Sequence, residues 1–375
     1  MPRFDSNIFK AYDVRGIVPE ELNSEIAHHL GRALVTYLRS KQVAVGRDMR
    51  LSSPELFESL CQGITTQGAE VIDLGLTSTD GLYFAVGKFG FDAGVMVTAS
   101  HNPPEYNGFK ICKRGAVPLS GQQGLEQIKR LLFSENYPQI ASKGKIVTKD
   151  ITAAYTDHVL SFIDVTKVRP LRIVIDAGNG MAGKLIPQVF SQLPCEVVPM
   201  YFELDGNFPN HLASPIEPEN TEELRRRVVA EKADFGAAFD GDADRMFLID
   251  EKGKALGGDV VTALAAKSLL KKNPGATILY NLICSKTVSE IVTASGGRAV
   301  RTKVGHALIK PLMKRHNAIF GGEHSGHFYF RDNWYADSGL IALLVCTELL
   351  STEKKPLSEL VATIDHYYRS GEINS

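Results

Sequence analysis

Ser100 ends a β-branched, apolar run, Val95-Met-Val-Thr98, and is followed by His101, Asn102, a proline pair and an Asn-Gly, with Lys110 ten residues on. A strand that stops by presenting a hydroxyl beside an imidazole suits a nucleophile displayed at the mouth of an α/β sheet. The same residues also suit a turn in which Ser100 and Asn102 bond only to backbone. Asp240, Asp242 and Asp244 alternate with small residues, so three carboxylates can converge on one cation from a single short loop. Hard oxygen ligands without Cys or His select Mg2+ or Ca2+ over zinc. An EF-hand reading places Glu251 at the twelfth position, but Arg245 holds the sixth, which needs Gly, and both flanks look like strands. Mg2+ keeps coordination sites for water or phosphate oxygens, so this loop expects a phosphate partner. Arg245 can neutralise one carboxylate or clamp that phosphate with its planar fork.

A third loop, Glu323-His-Ser-Gly-His327, sets a carboxylate and the Ser325 hydroxyl two apart. On an extended loop they share one side, which suits hydrogen bonds to neighbouring sugar hydroxyls. His327 is either a core histidine with its partner or a proton-transfer group. Arg15 in the segment Tyr12-Asp-Val-Arg15, Lys286 at a strand-to-helix turn, and His306 opening a helix complete the groups able to meet a phosphate.

The elements that must position these residues follow one order three times. Strand Val43–Gly46, helix Ser52–Thr66 (with a serine cap and early proline), strand Gly68–Gly75, helix Asp80–Lys88 and strand Ala93–Thr98 lead to Ser100. An entry helix over about Glu20–Arg39 precedes them. Arg172–Asp176, a helix through Phe190, Cys195–Met200, Thr221–Lys232 and Phe235–Phe239 lead to the aspartates. Thr277–Tyr280, Ser285–Ala294, Arg298–Thr302, His306–Lys314 and Ala318–Phe320 lead to Glu323. The pattern predicts an α/β fold: three tandem similar α/β domains with mixed, mainly parallel sheets around a central cleft. Expected bounds are 1–145, 146–253 and 254–366, with seams near Ser142–Lys149 and Glu251–Gly258. The Asn-Gly and Pro pair after Ser100 are expected not to continue a strand.

Bulk properties narrow the class. The 375 residues exceed one ordinary core. A hydrophobic content of 44% with 23% charged residues is that of a globular protein. A formal net charge of -1 offers no basic field for nucleic acid, so an anionic substrate must be met by local cations. Five scattered cysteines form no disulfide frame or zinc site. With no apolar signal core and no membrane-length run, the expectation is a cytoplasmic protein without nucleic-acid or membrane partners, a monomer or weak dimer.

Thr-Ala-Ser-His-Asn-Pro (98–103), Asp-Gly-Asp-Ala-Asp-Arg (240–245) and Gly-Glu-His-Ser-Gly-His (322–327), in this order over essentially the whole chain, resemble the phosphoserine, metal and sugar-specificity loops of the α-D-phosphohexomutases. The likeness is greatest to the bacterial phosphomannomutase/phosphoglucomutase branch, and Lys10-Ala-Tyr-Asp-Val-Arg-Gly and Val304-Gly-His-Ala-Leu-Ile-Lys also look like family signatures.

The resemblance implies that Ser100 carries a phosphoryl group. Asp240, Asp242, Asp244 and that phosphoserine would hold Mg2+, with a hexose 1,6-bisphosphate as intermediate and activator. It also implies that Glu323 and Ser325 hold the sugar of a small phosphosugar substrate. Tyr12, Arg15, His101, Lys110, Lys286, His306 and His327 would line the cleft beside Arg245, with Lys110 and His327 moving protons. A phosphoglucosamine mutase, a binding protein without catalysis and a phosphatase-like enzyme are the alternatives. The family's fourth, C-terminal domain is expected to be missing, residues 367–375 being the start of its linker. Because remote phosphate binding supplies orientation and closure, this chain alone is expected to keep its metal and serine chemistry but turn over poorly.

Overall fold

Short β-branched runs alternating with amphipathic helices drive parallel strands joined by crossover helices, and three such sheets form. The computed structural model describes residues 5–121 and 124–367, without the side chains of His306 and Ala307. All of the expected linker beyond Tyr367 lies outside the described residues.

The first sheet holds β1 (Val14–Ile17), β2 (Gln42–Arg47), β3 (Glu70–Leu76), β4 (Ala93–Val97), β5 (Tyr106–Lys113), β6 (Val117–Pro118) and β7 (Ile146–Thr148). Its order is β1-β5-β4-β2-β3-β7, with β6 on β5. The second holds β8 (Arg172–Asp176), β9 (Glu196–Met200), β10 (Phe235–Phe239) and β11 (Met246–Asp250), ordered β11-β10-β8-β9. The third holds β12 (Thr277–Asn281), β13 (Arg298–Thr302), β14 (Phe320–Gly322) and β15 (Phe328–Phe330), ordered β13-β12-β14-β15. The chain therefore has the expected α/β architecture of three similar, mixed and mainly parallel sheets.

One motif recurs in all three. The first strand lies between the second and the third, and the third turns straight back into an antiparallel fourth, as β4 into β5, β10 into β11 and β14 into β15. Each chemical loop is the connection of that hairpin. This overturns the expectation that Asn107-Gly108 ends a strand, because both lie inside β5. Asn107 donates to the Ser52 and Ser53 hydroxyls at 2.9 and 3.0 Å. Gly108 is squeezed between β1 and β4, where a Cβ would come within 2.3 Å of the Val14 carbonyl oxygen, so its glycine serves close approach, not a turn. The same contact explains a second difference. Ser52 makes no capping hydrogen bond at helix Ser53–Thr66, since its hydroxyl is turned toward Asn107. Asn23, by contrast, caps helix Ser24–Leu38 by accepting the Ile26 N–H at 3.1 Å. Strand β7, within the segment read as a seam, pairs in parallel with β3.

Helices Gly258–Lys272 and Gly339–Glu353 are buried along nearly their whole length and pack on each other and on strands of the second and third sheets. The three units also meet at one buried carboxylate. Asp80, in helix Thr79–Phe89, accepts from the Tyr155 hydroxyl at 2.6 Å, from the Ser338 hydroxyl at 2.5 Å and from Ser78. Tyr155 belongs to helix Thr152–Leu160, and Ser338 caps helix Gly339–Glu353. Burial pushes the Asp80 carboxyl up to about 6 despite the three hydroxyls. Its protonated form thus favours the folded state. That contribution is complete below the ordinary aspartate value and is lost as pH rises through about 6. The stability lead of wild type over Asp80→Asn is expected to be larger at about pH 4.5 than at about pH 7.5, by about 2 kcal/mol. Chemical denaturation of both proteins at the two pH values measures it, and an equal lead at both would show a carboxylate that ionises freely.

Candidate active site

Ser100 sits at the turn from β4 toward β5, fully buried and with a left-handed backbone (φ 54°). A non-glycine residue there stores about 1 kcal/mol of strain. The loop is held by Arg50, whose buried guanidinium donates to four carbonyl oxygens: Ser100 and Tyr106 at 2.9 Å, Asn102 and Pro103 at 2.7 Å. Asp48 pairs with the Arg50 Nε at 3.3 Å and accepts the Ser53 hydroxyl at 2.6 Å. The hydroxyl so presented donates to Asp240 at 2.7 Å, and His101 Nδ1 lies 3.3 Å from it. Burial first, then the charges of Arg245, Arg15 and Lys110, push the His101 imidazole down to about 2. It is a neutral hydrogen-bonding partner. Gly241 lets the two loops touch, since a Cβ there would come within 2.4 Å of the Ser100 carbonyl oxygen.

Asp240, Asp242 and Asp244 are buried in the hairpin between β10 and β11, with carboxylate oxygens within 4.8 Å of one another. Such a group repels itself unless cations intervene. Lys110 on β5 supplies one, with Nζ 2.7 Å from Asp242 and 2.5 Å from Asp244. Burial alone would lower the lysine, but Asp242 and Asp244 outweigh it and hold it protonated well above its ordinary value. Burial likewise would raise Asp242, yet Lys110 and the Thr79 hydroxyl hold its carboxyl below the usual range. Asp240 goes the other way, raised by burial and by its two neighbours. Arg245 closes the loop, its N–H donating to Asp240 at 3.0 Å and its Nε lying 3.7 Å away. The Oδ1 atoms of Asp242 and Asp244 are buried without a hydrogen-bond partner. Orphaned hard oxygens facing one point fit a divalent cation with oxygen preference.

The third hairpin departs from expectation in shape. Residues 323–327 form a tight turn, with the Gly326 N–H donating to the Glu323 carbonyl at 3.1 Å and the Glu323 N–H to that of His327 at 3.0 Å. The backbone here is a turn and not the extended loop expected. Buried Glu323 accepts from the Tyr329 hydroxyl at 2.6 Å, the Gly305 N–H at 3.0 Å and Asn281 at 3.3 Å. Ser325 is half-buried, and its hydroxyl makes no hydrogen bond among the described residues. His327 Nδ1 lies 2.8 Å from Asp337 and 3.8 Å from Asp244. Arg15 bonds Asn102 of the serine loop and Asp13. Tyr12 lies against Gly305, where a Cβ would sit 2.9 Å from its hydroxyl. Lys286 opens helix Lys286–Ala294, exposed and without an ion pair among the described residues. His306 opens helix His306–His316, but its side chain lies outside what the structure describes. The structure thus gathers Ser100, His101, Lys110, Arg15, the three aspartates, Arg245 and His327, and leaves Lys286 apart from their bonds.

Known proteins resemble this chain along nearly its whole length. Models of phosphoglucomutase/phosphomannomutase α/β/α domains I, II and III match residues 6–139, 153–253 and 257–367. The chain belongs to the phosphoglucomutase/phosphomannomutase family. It is 42% identical to the phosphomannomutase of Escherichia coli K12, over 98% of this chain and 82% of that one. It is 41% identical to a Xanthomonas campestris protein named for phosphohexose mutases, with the same coverage of both chains. A crystal structure of a phosphoglucomutase/phosphomannomutase family protein from Burkholderia thailandensis superposes with a TM-score of 0.89 at 35% identity, covering 97% of this chain and 80% of that one.

Within this family member, sequence reasoning passes over Arg50 and Asp48, which read as a polar loop after β2. No motif marks them; only their complete burial does. Arg50→Lys keeps the charge but cannot span four carbonyls, and is expected to cost about 2–4 kcal/mol. Denaturant unfolding measures this, and a loss below about 0.5 kcal/mol would show the four bonds to be dispensable.

Proposed function

We propose that this chain interconverts hexose 1-phosphates and hexose 6-phosphates of mannose and glucose through a phosphorylated Ser100. The observation that carries this reading is the Ser100 hydroxyl 2.7 Å from Asp240, with Lys110 bridging the other two aspartates. In phosphoryl transfer the protein mainly positions groups and stabilises charge, and these residues are built for both.

In the forward half-reaction the Ser100 Oγ–P bond breaks as a bond forms from that phosphorus to a free sugar hydroxyl oxygen, and the departing Ser100 oxygen ends as the hydroxyl, taking in net the proton that the sugar hydroxyl gives up. The hydroxyl proton passes to a base, for which His327 is the best placed, its Nδ1 engaged by Asp337 and its ring beside Asp244. The resulting hexose 1,6-bisphosphate turns over within the cleft, and its other phosphate returns to Ser100. Lys110, held protonated by Asp242 and Asp244, and the Arg245 guanidinium stand beside the reacting phosphate, and His101 is a hydrogen-bonding partner at the serine. Asp240, Asp242 and Asp244, with phosphoserine oxygen, would hold Mg2+, which when bound withdraws charge from the group in transfer. Glu323, set by Tyr329 and Gly305, and Ser325 would meet the sugar hydroxyls. Ser100 is fully buried, and keeping water from it favours return to sugar over hydrolysis.

A coupled assay with mannose 1-phosphate and glucose 1-phosphate tests this. Turnover is expected to rise on adding a catalytic amount of hexose 1,6-bisphosphate, to vanish with chelator and return with Mg2+, and to fall by about four or more orders of magnitude in Ser100→Ala. Activity in Ser100→Ala comparable to wild type, or release of inorganic phosphate in place of isomer, would overturn it.

A further inference from the structure

A second cavity lies between the first and third units, with a volume of about 550 Å3. Its walls are residues Lys113–Pro118, from the end of β5 through β6, helix His306–His316, and the segment after β15 that carries Arg331, Trp334 and Tyr335. Three features set it apart from an ordinary crease. First, its twelve lining residues include five cations, Lys113, Arg114, Lys310, Lys314 and Arg331, and no carboxylate. Arg114, Lys310 and Arg331 have carboxylate partners in Asp92, Asp337 and Asp332. Lys113 and Lys314 are exposed and make no ion pair among the described residues, so the cavity carries unbalanced positive charge.

Second, two aromatic rings share the wall with these cations. Trp334 packs on Gly87 and on His158 (ring centroids 5.2 Å apart) yet stays partly exposed at the cavity, beside half-buried Tyr335. Third, Trp334 and Tyr335 are consecutive non-glycine residues with left-handed backbones, φ 54° and 59°. Such backbone strain collects at ligand clamps. Deep in the wall, Lys310 is 5% exposed, its Nζ 4.5 Å from the Tyr83 ring centroid and 2.9 Å from Asp337. Asp337 in turn bonds His327. The cavity and the serine cleft thus share a chain of three side chains.

We propose that this cavity is a binding site for a nucleoside phosphate: the cations take the phosphate groups and the aromatic wall takes a planar base. Cations alone would suit any anion, and rings alone any apolar molecule; both on one wall, in a cavity of this size, select a ligand having each part. The site does not depend on the mutase reading, since none of Lys113, Lys314, Trp334 or Tyr335 belongs to the serine cleft.

Trp334 is the only tryptophan of the chain, so its fluorescence reports on this wall alone. The full chain is titrated with ADP, with adenosine and with inorganic phosphate, following tryptophan emission and, in parallel, heat by calorimetry. Saturable binding of ADP with a change in Trp334 emission is expected, at least about tenfold tighter than adenosine or phosphate. The double variant Lys113→Glu/Lys314→Glu is expected to weaken ADP about tenfold or more while leaving basal turnover unchanged. The single variant Lys314→Gln, a milder surface change, should weaken it in the same direction. Absence of saturable binding, equal binding of inorganic phosphate, or ADP binding indifferent to the lysine substitutions would each overturn the proposal.

Discussion

Three buried carboxylates in one short hairpin are unfavourable by themselves, and much of the site serves to make them tolerable. Desolvation and mutual repulsion both act against Asp240, Asp242 and Asp244. Arg245 offsets part of this from within the same unit, and further partners come from outside it. Lys110 and the Ser100 and Thr79 hydroxyls reach in from the first unit. On its other side the hairpin is tied to the third unit, the Met246 N–H donating to the Gly326 carbonyl at 3.2 Å and Arg245 bridging to His327 along the backbone. The central hairpin is therefore locked on both sides, and a serine hydroxyl, a lysine and a histidine are brought to the aspartates by the contacts that offset their repulsion. Stability and chemistry draw on the same bonds.

The repeated topology explains why the three loops can meet. Each unit ends its third strand in an immediate return, so its connecting loop is short and anchored at both ends by an antiparallel ladder. A site on such turns is better fixed than one on open crossover loops. Asp80 adds a second tie beneath, joining the helix after β3, the helix before β8 and the helix after β15 through hydroxyl bonds.

Much of this was legible in the amino-acid order. Strand-to-loop transitions at Thr98 and Phe239 carry plain signals, whereas Phe320, read as the end of its strand, opens β14; Ser100, the aspartates and His327 stand out because reactive residue types follow apolar runs. The fourth strand of the first unit was not legible, because Asn107-Gly108 has the composition of a turn and only the neighbours β1 and β4 reveal what the glycine is for. Helix Gly339–Glu353 shows no amphipathic period, being buried on all sides. Arg50, Asp80 and Asp337 are single charged residues in unremarkable stretches, and their roles come wholly from tertiary partners. The Glu323–His327 segment differs in backbone alone: it reads as an extended loop and forms a turn, with the Tyr329 hydroxyl and the Gly305 N–H orienting the Glu323 carboxylate.

The central claim is that the Ser100 hydroxyl, held among the aspartates, is the group that carries phosphate. It is tested most directly by incubating the protein with hexose 1,6-bisphosphate bearing isotopically labelled phosphate, then mapping the label by peptide mass spectrometry before and after a chase with unlabelled hexose phosphate. The account predicts label on the peptide containing Ser100 alone, discharged into sugar phosphate during the chase. Label on another residue, or label on Ser100 that the chase leaves in place, would contradict it.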